Sequence, residues 1–174
     1  MTIADVERGL VARYAARVLS RTELPARAMR NILWWINERA DSMSLPLPAP
    51  LTEILGQTYN IGYRFSEFEA ALAQCRAELI ASLDAAARES QRPEPLASNV
   101  ETLVLALDIA HPDTAWKIAG LVACCARYDQ VQQFANTVQE VANPIARTIA
   151  LLTGEPLRLV EECLAPSSDL LASG

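Results

Sequence analysis

Histidine and lysine each occur only once among the 174 residues, as His111 and Lys117, against fourteen arginines. One histidine cannot supply the two Glu-x-x-His motifs of a di-iron helical bundle, and a histidine-dependent catalytic triad would have to be built on His111. That residue precedes Pro112 at a predicted helix start, a position that favours capping over general-base catalysis. The six glycines are scattered and form no phosphate-binding loop.

Cysteines are few. The four of them, Cys75, Cys124, Cys125 and Cys163, lack the paired spacing of a zinc site. A chain of this length can bury a sufficient core without disulfide bonds, so we expect reduced and mostly buried thiols. Neighbouring helix positions point about 100° apart, so of Cys124 and Cys125 we expect one to be buried and one partly exposed.

Long apolar runs are absent. The longest, residues 118–126, has nine residues, whereas a membrane helix needs about 20. The first residues are partly acidic and show no basic patch followed by an apolar run, as a secretory signal would. We therefore expect no membrane association and a cytoplasmic location. The preference for arginine over lysine, with abundant alanine and leucine, is a composition that we associate with GC-rich bacterial genomes.

The net charge of −6 is unevenly distributed, with +3 in residues 1–40 and −9 in the remainder. Nucleic-acid binding depends mainly on clustered lysine and arginine, so an acidic chain with a pI near 4.8 is a poor candidate for it. A line of arginines at four-residue spacing, Arg13, Arg17 and Arg21, indicates either contact with an acidic partner or a solvated helix flank.

Apolar residues recur three and four positions apart, and no segment alternates with a period of two. This pattern predicts an all-α fold, a single domain of eight or nine short antiparallel helices arranged as a helical-hairpin stack or an irregular bundle. We divide the chain into an N-terminal half, residues 1–97, with an extended proline-rich connector at 42–50, a helical-hairpin half at 98–165, and a frayed tail at 166–174.

Several residues mark predicted helix ends. Thr2, Ser66 and Ser98 each stand three positions before an acidic residue, as an N-cap in a capping box does. Gly154 is typical of a left-handed helix stop. After Ser66, apolar residues form a seam that predicts either ordinary core or a homodimer contact. The residues predicted for that dimer are Phe68, Leu72, Leu79 and Leu83.

Residues 109–121 are echoed by residues 141–152, with one deletion after the proline. In both copies the residue before the proline, His111 or Asn143, is predicted to be the helix N-cap, with the proline at the first helical position. A helix start that recurs after about thirty residues is typical of stacked helical hairpins.

The second half resembles the tetratricopeptide repeats over about 30 residues. Trp116, Ala119 and Gly120 match the opening aromatic, apolar and glycine positions of the repeat, and Pro144 matches its closing proline. The sequence departs from the pattern where Ala123 replaces a tyrosine and Gln132 replaces a small residue. The resemblance implies a concave groove that holds a peptide or helix of a partner protein.

Six of the ten aromatic residues lie between positions 34 and 68. Trp34 and Trp35 are adjacent and cannot both face one core, so one of them is predicted to lie at a surface or interface, unless Trp35 packs beneath the connector. The candidate partner-binding residues are Trp34, Trp35, Tyr59, Tyr63 and Trp116.

The function predicted from these features is that of a non-catalytic helical adaptor or chaperone-like protein, which binds another protein through a helical groove or an aromatic patch. We expect no catalytic residue, no cofactor and no metal. Two alternatives stay open. One is a regulator that binds a small ligand between its second, fourth and fifth helices, and the other is a helical enzyme.

Overall fold

A computed structural model describes residues 2–21, 24–45, 47–56, 65–89, 94–106 and 111–165, which contain nine helices and no strand. The helices are α1 Ile3–Ser20, α2 Ala26–Met43, α3 Ala49–Gly56, α4 Phe65–Glu89, α5 Glu94–Ala106, α6 Pro112–Arg127, α7 Asp129–Ala142, α8 Ile145–Thr153 and α9 Leu157–Leu164. The all-α prediction is confirmed for these residues. Within the same ranges, no helix combines the length and apolar character that a membrane crossing requires.

The chain divides into two compact units, Met1–Ser90 and Gln91–Gly174. The sequence pattern placed this division after residue 97. Helix α5 begins at Glu94, so the predicted start at Ser98 is wrong, since a proline such as Pro95 is tolerated in a first turn and need not delay the helix. The predicted tail, residues 166–174, lies outside the described residues.

The N-terminus of α1 has the predicted capping box. The Thr2 side-chain oxygen accepts a hydrogen bond from the Asp5 amide at 3.2 Å, and the Asp5 carboxylate accepts one from the Thr2 amide at 2.7 Å. This second bond, with that from the Thr2 hydroxyl, lowers the pKa of Asp5. Two amides that a helix start leaves free are thereby satisfied.

Helix α1 is the buried centre of the first unit and packs against α2 and α4. Its buried residues surround the helix axis: Val6, Gly9, Leu10, Val11, Ala12, Tyr14, Ala15, Ala16, Val18 and Leu19. A helix that is buried around most of its circumference needs neighbours with wide apolar faces. Helix α4 provides such a face and also packs against α3.

The apolar seam of α4 belongs to the core of this unit. Phe68, Leu79 and Leu83 are fully buried, and Leu72 is nearly so. The predicted homodimer contact through these four side chains is therefore wrong, because they have almost no surface left to offer a second copy. The predicted cap Ser66 lies within the helix, which begins one residue earlier.

The proline-rich connector is shorter than the predicted 42–50. Helix α2 continues to Met43, and α3 already begins at Ala49, so that Pro50 lies in its first turn. Ser44 ends α2 in a left-handed conformation with φ 48°, and Leu45 is buried.

At the other end of α1, a side chain from α4 reaches the last carbonyls. Arg76 Nε donates to the Leu19 carbonyl oxygen at 2.8 Å, and Arg76 Nη2 donates to that of Arg21 at 2.7 Å. The Ser20 hydroxyl donates to the Arg17 carbonyl at 2.7 Å. The last four carbonyls of a helix have no partner within it, so these bonds complete the end of a buried helix.

Helix α6 has the most helical neighbours in the second unit, since it packs against α5, α7, α8 and α9. Tyr128 is the only residue between α6 and α7, and its side chain is buried. In α8, every residue from Thr148 to Thr153 is buried. Gly154 then ends α8 with φ 80°, which confirms the predicted left-handed stop.

The two echoed helix starts differ. His111 is the N-cap residue of α6 and Pro112 follows it inside the helix, as predicted, although the histidine side chain makes no capping hydrogen bond. The corresponding prediction for Asn143 is wrong. Asn143 ends α7, and Pro144, whose backbone is extended, is itself the N-cap of α8.

We predict that replacing Arg76 with methionine lowers the free energy of unfolding by about 2 kcal/mol, because two charge-assisted hydrogen bonds are lost while the aliphatic volume is largely kept. Urea unfolding of the full chain, followed by circular dichroism, measures the change. The matched control is Arg88→Met, at an exposed position of the same helix, for which we expect a change within about 0.5 kcal/mol. Equal effects of the two substitutions would contradict this role for Arg76.

Candidate functional site

Trp34 and Trp35 lie on different faces of α2. The Trp34 side chain is 39% exposed, whereas Trp35 is only 6% exposed. The divergence follows from the 100° rotation between neighbouring helix residues, and it confirms that one tryptophan of the pair lies at the surface.

Trp35 is a core residue with a polar cover. The Arg39 guanidinium lies over its ring, 4.3 Å from the ring centroid, as in a cation–π contact. Arg39 also lies 3.7 Å from a carboxylate oxygen of Glu38. Trp35 therefore presents almost no surface to a partner, and the partner-binding hypothesis for this pair is kept for Trp34 alone.

Trp34 stands on the polar face of α2. Exposed positions recur every three or four residues along that face, at Arg27, Asn31, Trp34, Glu38 and Asp41. The opposite face holds Met29, Ile32, Leu33 and Ile36, which are buried. A large aromatic side chain thus occupies a stripe that otherwise carries polar and charged groups. We call this stripe the Trp34 surface.

The other predicted partner-binding residues are placed differently. Trp116 is half-buried and packs against a cluster of Val100, Val104 and Ala115, so much of its ring joins α5 to α6. Tyr59 and Tyr63 lie outside the described residues.

A polar cluster joins the start of α6 to the loop before α9. Glu155 lies in that loop with a side chain that is only 11% exposed, and it forms an ion pair with Lys117. Its second carboxylate oxygen accepts a hydrogen bond from the buried Thr114 hydroxyl at 2.8 Å. A buried carboxylate needs such partners, because desolvation of an unpaired charge is costly.

A second polar contact lies at the N-terminus of α6. His111 Nε2 is 3.0 Å from Glu162 Oε2, and Arg158 Nε donates to Glu162 Oε1 at 2.8 Å. The hydrogen bond from Arg158 lowers the pKa of the Glu162 carboxyl, and His111 acts in the same direction. The imidazole that was predicted to sit at a helix start is therefore bonded to α9.

The polar cluster around Glu155 joins α6 to the segment that leads into α9. Both oxygens of Glu155 accept hydrogen bonds, one from Thr114 and one from Lys117, so the carboxylate links α6 to the loop before α9. Across the described ranges, no three histidine, cysteine, aspartate or glutamate side chains are grouped as metal ligands.

The cysteine side chains differ in burial. The thiols of Cys125 and Cys163 both have a pKa above that of an ordinary thiol. Cys124 is buried and Cys125 is half-buried, as predicted for adjacent helix positions. Burial raises the pKa of the Cys125 thiol to about 11, and the neighbouring Cys124 acts in the same direction. Burial also raises the pKa of Cys163, with a smaller contribution from Glu162 and Glu155. A raised pKa lowers the fraction of thiolate at neutral pH, and the thiolate is the form of cysteine that reacts.

No family model matches this chain, and neither a curated protein nor a solved structure matches it. The resemblance of residues around α6 to tetratricopeptide repeats thus stays a prediction.

Sequence reasoning missed Glu155 and Glu162. The pairing of Glu162 with Arg158 has a local signal, since the two are four residues apart on one helix. The pairing of Glu155 with Lys117 has no such signal, because 38 positions separate the residues. That Lys117 and His111 are each unique in the chain was visible, but their partners depend on tertiary structure.

We predict that Cys125 reacts slowly with iodoacetamide in the folded protein. With a pKa raised to about 11, its thiolate fraction at pH 8 is about a hundredfold lower than that of an ordinary thiol, and it rises about tenfold per pH unit up to that pKa. Mass spectrometry of the alkylated full chain at pH 8 and pH 9 gives the rates, with the urea-unfolded protein as the control. A rate in the folded state equal to that in urea would show that the thiol is not suppressed.

Proposed function

We propose that this protein is a non-catalytic, cytoplasmic adaptor or chaperone-like protein that binds another protein through the Trp34 surface. The observation that carries the proposal is the 39% exposure of Trp34 on a face of α2 that is otherwise polar. Tryptophan is enriched at interface hot spots because its large ring gains much from burial and its indole N–H can still donate a hydrogen bond.

The residues around Trp34 are polar or charged, as residues at the rim of a protein–protein interface usually are. Asn31 and Glu38 flank it on the exposed face, with Arg27 and Asp41 one turn further away in each direction. An apolar anchor within polar neighbours is the usual arrangement of a hot spot and its rim. Both signs of charge are present, so the expected partner offers an apolar pocket with hydrogen-bonding groups around it.

Other exposed apolar side chains are weaker candidates for contact with a partner protein. Leu103, Leu105 and Val122 in the second unit are each more than half exposed. Single exposed aliphatic residues are common on soluble proteins and need no partner to explain them. Trp34 is distinguished by its size and by its indole N–H.

We predict that Trp34→Ala lowers recovery of the partner by at least about tenfold, since truncation of a tryptophan hot spot typically costs 2 kcal/mol or more. The full-length wild type and the variant serve as parallel baits in an extract of the source organism, with quantitative mass spectrometry of the captured proteins.

The matched control for this experiment is Ile3→Ala. Ile3 is also an exposed apolar residue of the first unit, with 70% exposure, but it lies at the start of α1. The control is expected to recover the partner at the wild-type level. Capture of the same proteins in equal amounts by wild type and Trp34→Ala would refute the proposed role of the Trp34 surface.

A further inference from the structure

Helix α9 is attached to the second unit by few buried residues. It packs against α6 and α8, which also pack against each other. Only Val160 and Cys163 are buried, and Leu159 and Leu164 are half-buried. The remaining residues of α9 are exposed. A helix with so little buried surface can open at lower free energy than the elements beneath it.

Two carboxylates hold this helix at its ends. Glu155 precedes α9 and pairs with Lys117, whereas Glu162 lies within α9 and pairs with His111. Glu155, the earlier of the two glutamates, pairs with Lys117, the later of the two partners, and Glu162 pairs with His111. This crossed order of the pairs places α9 antiparallel to the start of α6.

The contact of Glu162 with His111 and Arg158, which we call the outer tie, is open to solvent. The side chains of His111 and Glu162 are each 39% exposed, and that of Arg158 is 84% exposed. Exposed ion pairs contribute little to stability and are screened by salt. The inner tie at Glu155 is the stronger one, because it is mostly removed from water and has a second donor in Thr114.

The link between α8 and α9 can act as a hinge. Only residues 154–156 separate the two helices, and Gly154 is exposed with φ 80°. Glycine at such a position changes its backbone dihedrals without a side-chain penalty. Helix α9 can therefore detach from α6 and α8 while α8 stays in the core.

We propose that the seat of α9 on α6 and α8 is a binding groove for an amphipathic helix of a partner protein, which displaces α9. The pattern of α9 defines the ligand. Two carboxylates seven positions apart, one just before the helix and one within it, pair with Lys117 and His111, and the small apolar residues Val160 and Cys163 form the buried face of the helix. Recognition of this kind, by an apolar helix face in a groove, recurs in many regulatory complexes. The groove belongs to the second unit and does not depend on the Trp34 surface.

The test uses a fluorescein-labelled peptide of residues 154–165, with Cys163→Ala to prevent disulfide formation, and fluorescence anisotropy with the full-length chain. The receptor variant Glu155→Gln/Glu162→Gln weakens the intramolecular competitor. We expect it to bind the peptide at least about tenfold more tightly than wild type does, because more molecules have an open groove.

Two controls isolate the charges. Glu140→Gln/Glu161→Gln removes two exposed carboxylates of the same unit and is expected to bind the peptide as wild type does. A peptide that itself carries Glu155→Gln and Glu162→Gln is expected to bind the open receptor at least about tenfold more weakly, because Lys117 and His111 then lack their partners.

Equal affinity of wild type and the Glu155→Gln/Glu162→Gln receptor, or no binding to either, would overturn the proposal. If that variant does not fold, as judged by circular dichroism, hydrogen exchange of the wild-type chain decides instead. Amides of α9 that exchange much faster than those of α6 and α8 support a detachable helix. Equal protection in all three helices overturns it.

Discussion

Each unit contains a helix that is buried over most of its length, and the backbone carbonyls at the end of such a helix need hydrogen-bond partners. In the first unit, α1 meets this constraint through Arg76, which donates to two carbonyls at its C-terminal end. In the second unit, the Gly154 amide donates to the carbonyl of Ala150, which is among the last four of α8. The carbonyls at these two helix ends thus receive their partners from one arginine of α4 and from the amide of one glycine.

The same constraint explains which parts of the fold the sequence could predict. The start of α1 and the end of α8 were predicted correctly, because Thr2 and Gly154 act on backbone groups within a few residues. The starts predicted at Ser98 and Asn143 were wrong, because proline is compatible with both a first turn and a cap position. The tie of Arg76 to α1 had no local signal, since the bonded residues are more than fifty positions apart.

The candidate surfaces were predictable to different degrees. That one of Trp34 and Trp35 is exposed follows from helix geometry alone, but which one depends on how α2 packs against α1 and α3. The role of His111 was half predictable. Its place at a helix start could be inferred from Pro112, whereas its bond to Glu162 depends on where α9 packs.

Lys117 and His111, the only lysine and histidine of the chain, show how composition constrains architecture. Arginine provides most of the positive charge, and its planar group makes several directed hydrogen bonds, as Arg76 does with two carbonyls. Lysine is a point charge on a flexible stem, so it can follow a carboxylate that moves. An ion pair of this kind at Glu155 holds α9 in place with less geometric demand than an arginine fork would impose. The loop before α9 is therefore held by the less directional kind of ion pair, whereas the directed N–H of Arg158 binds Glu162 within the helix itself.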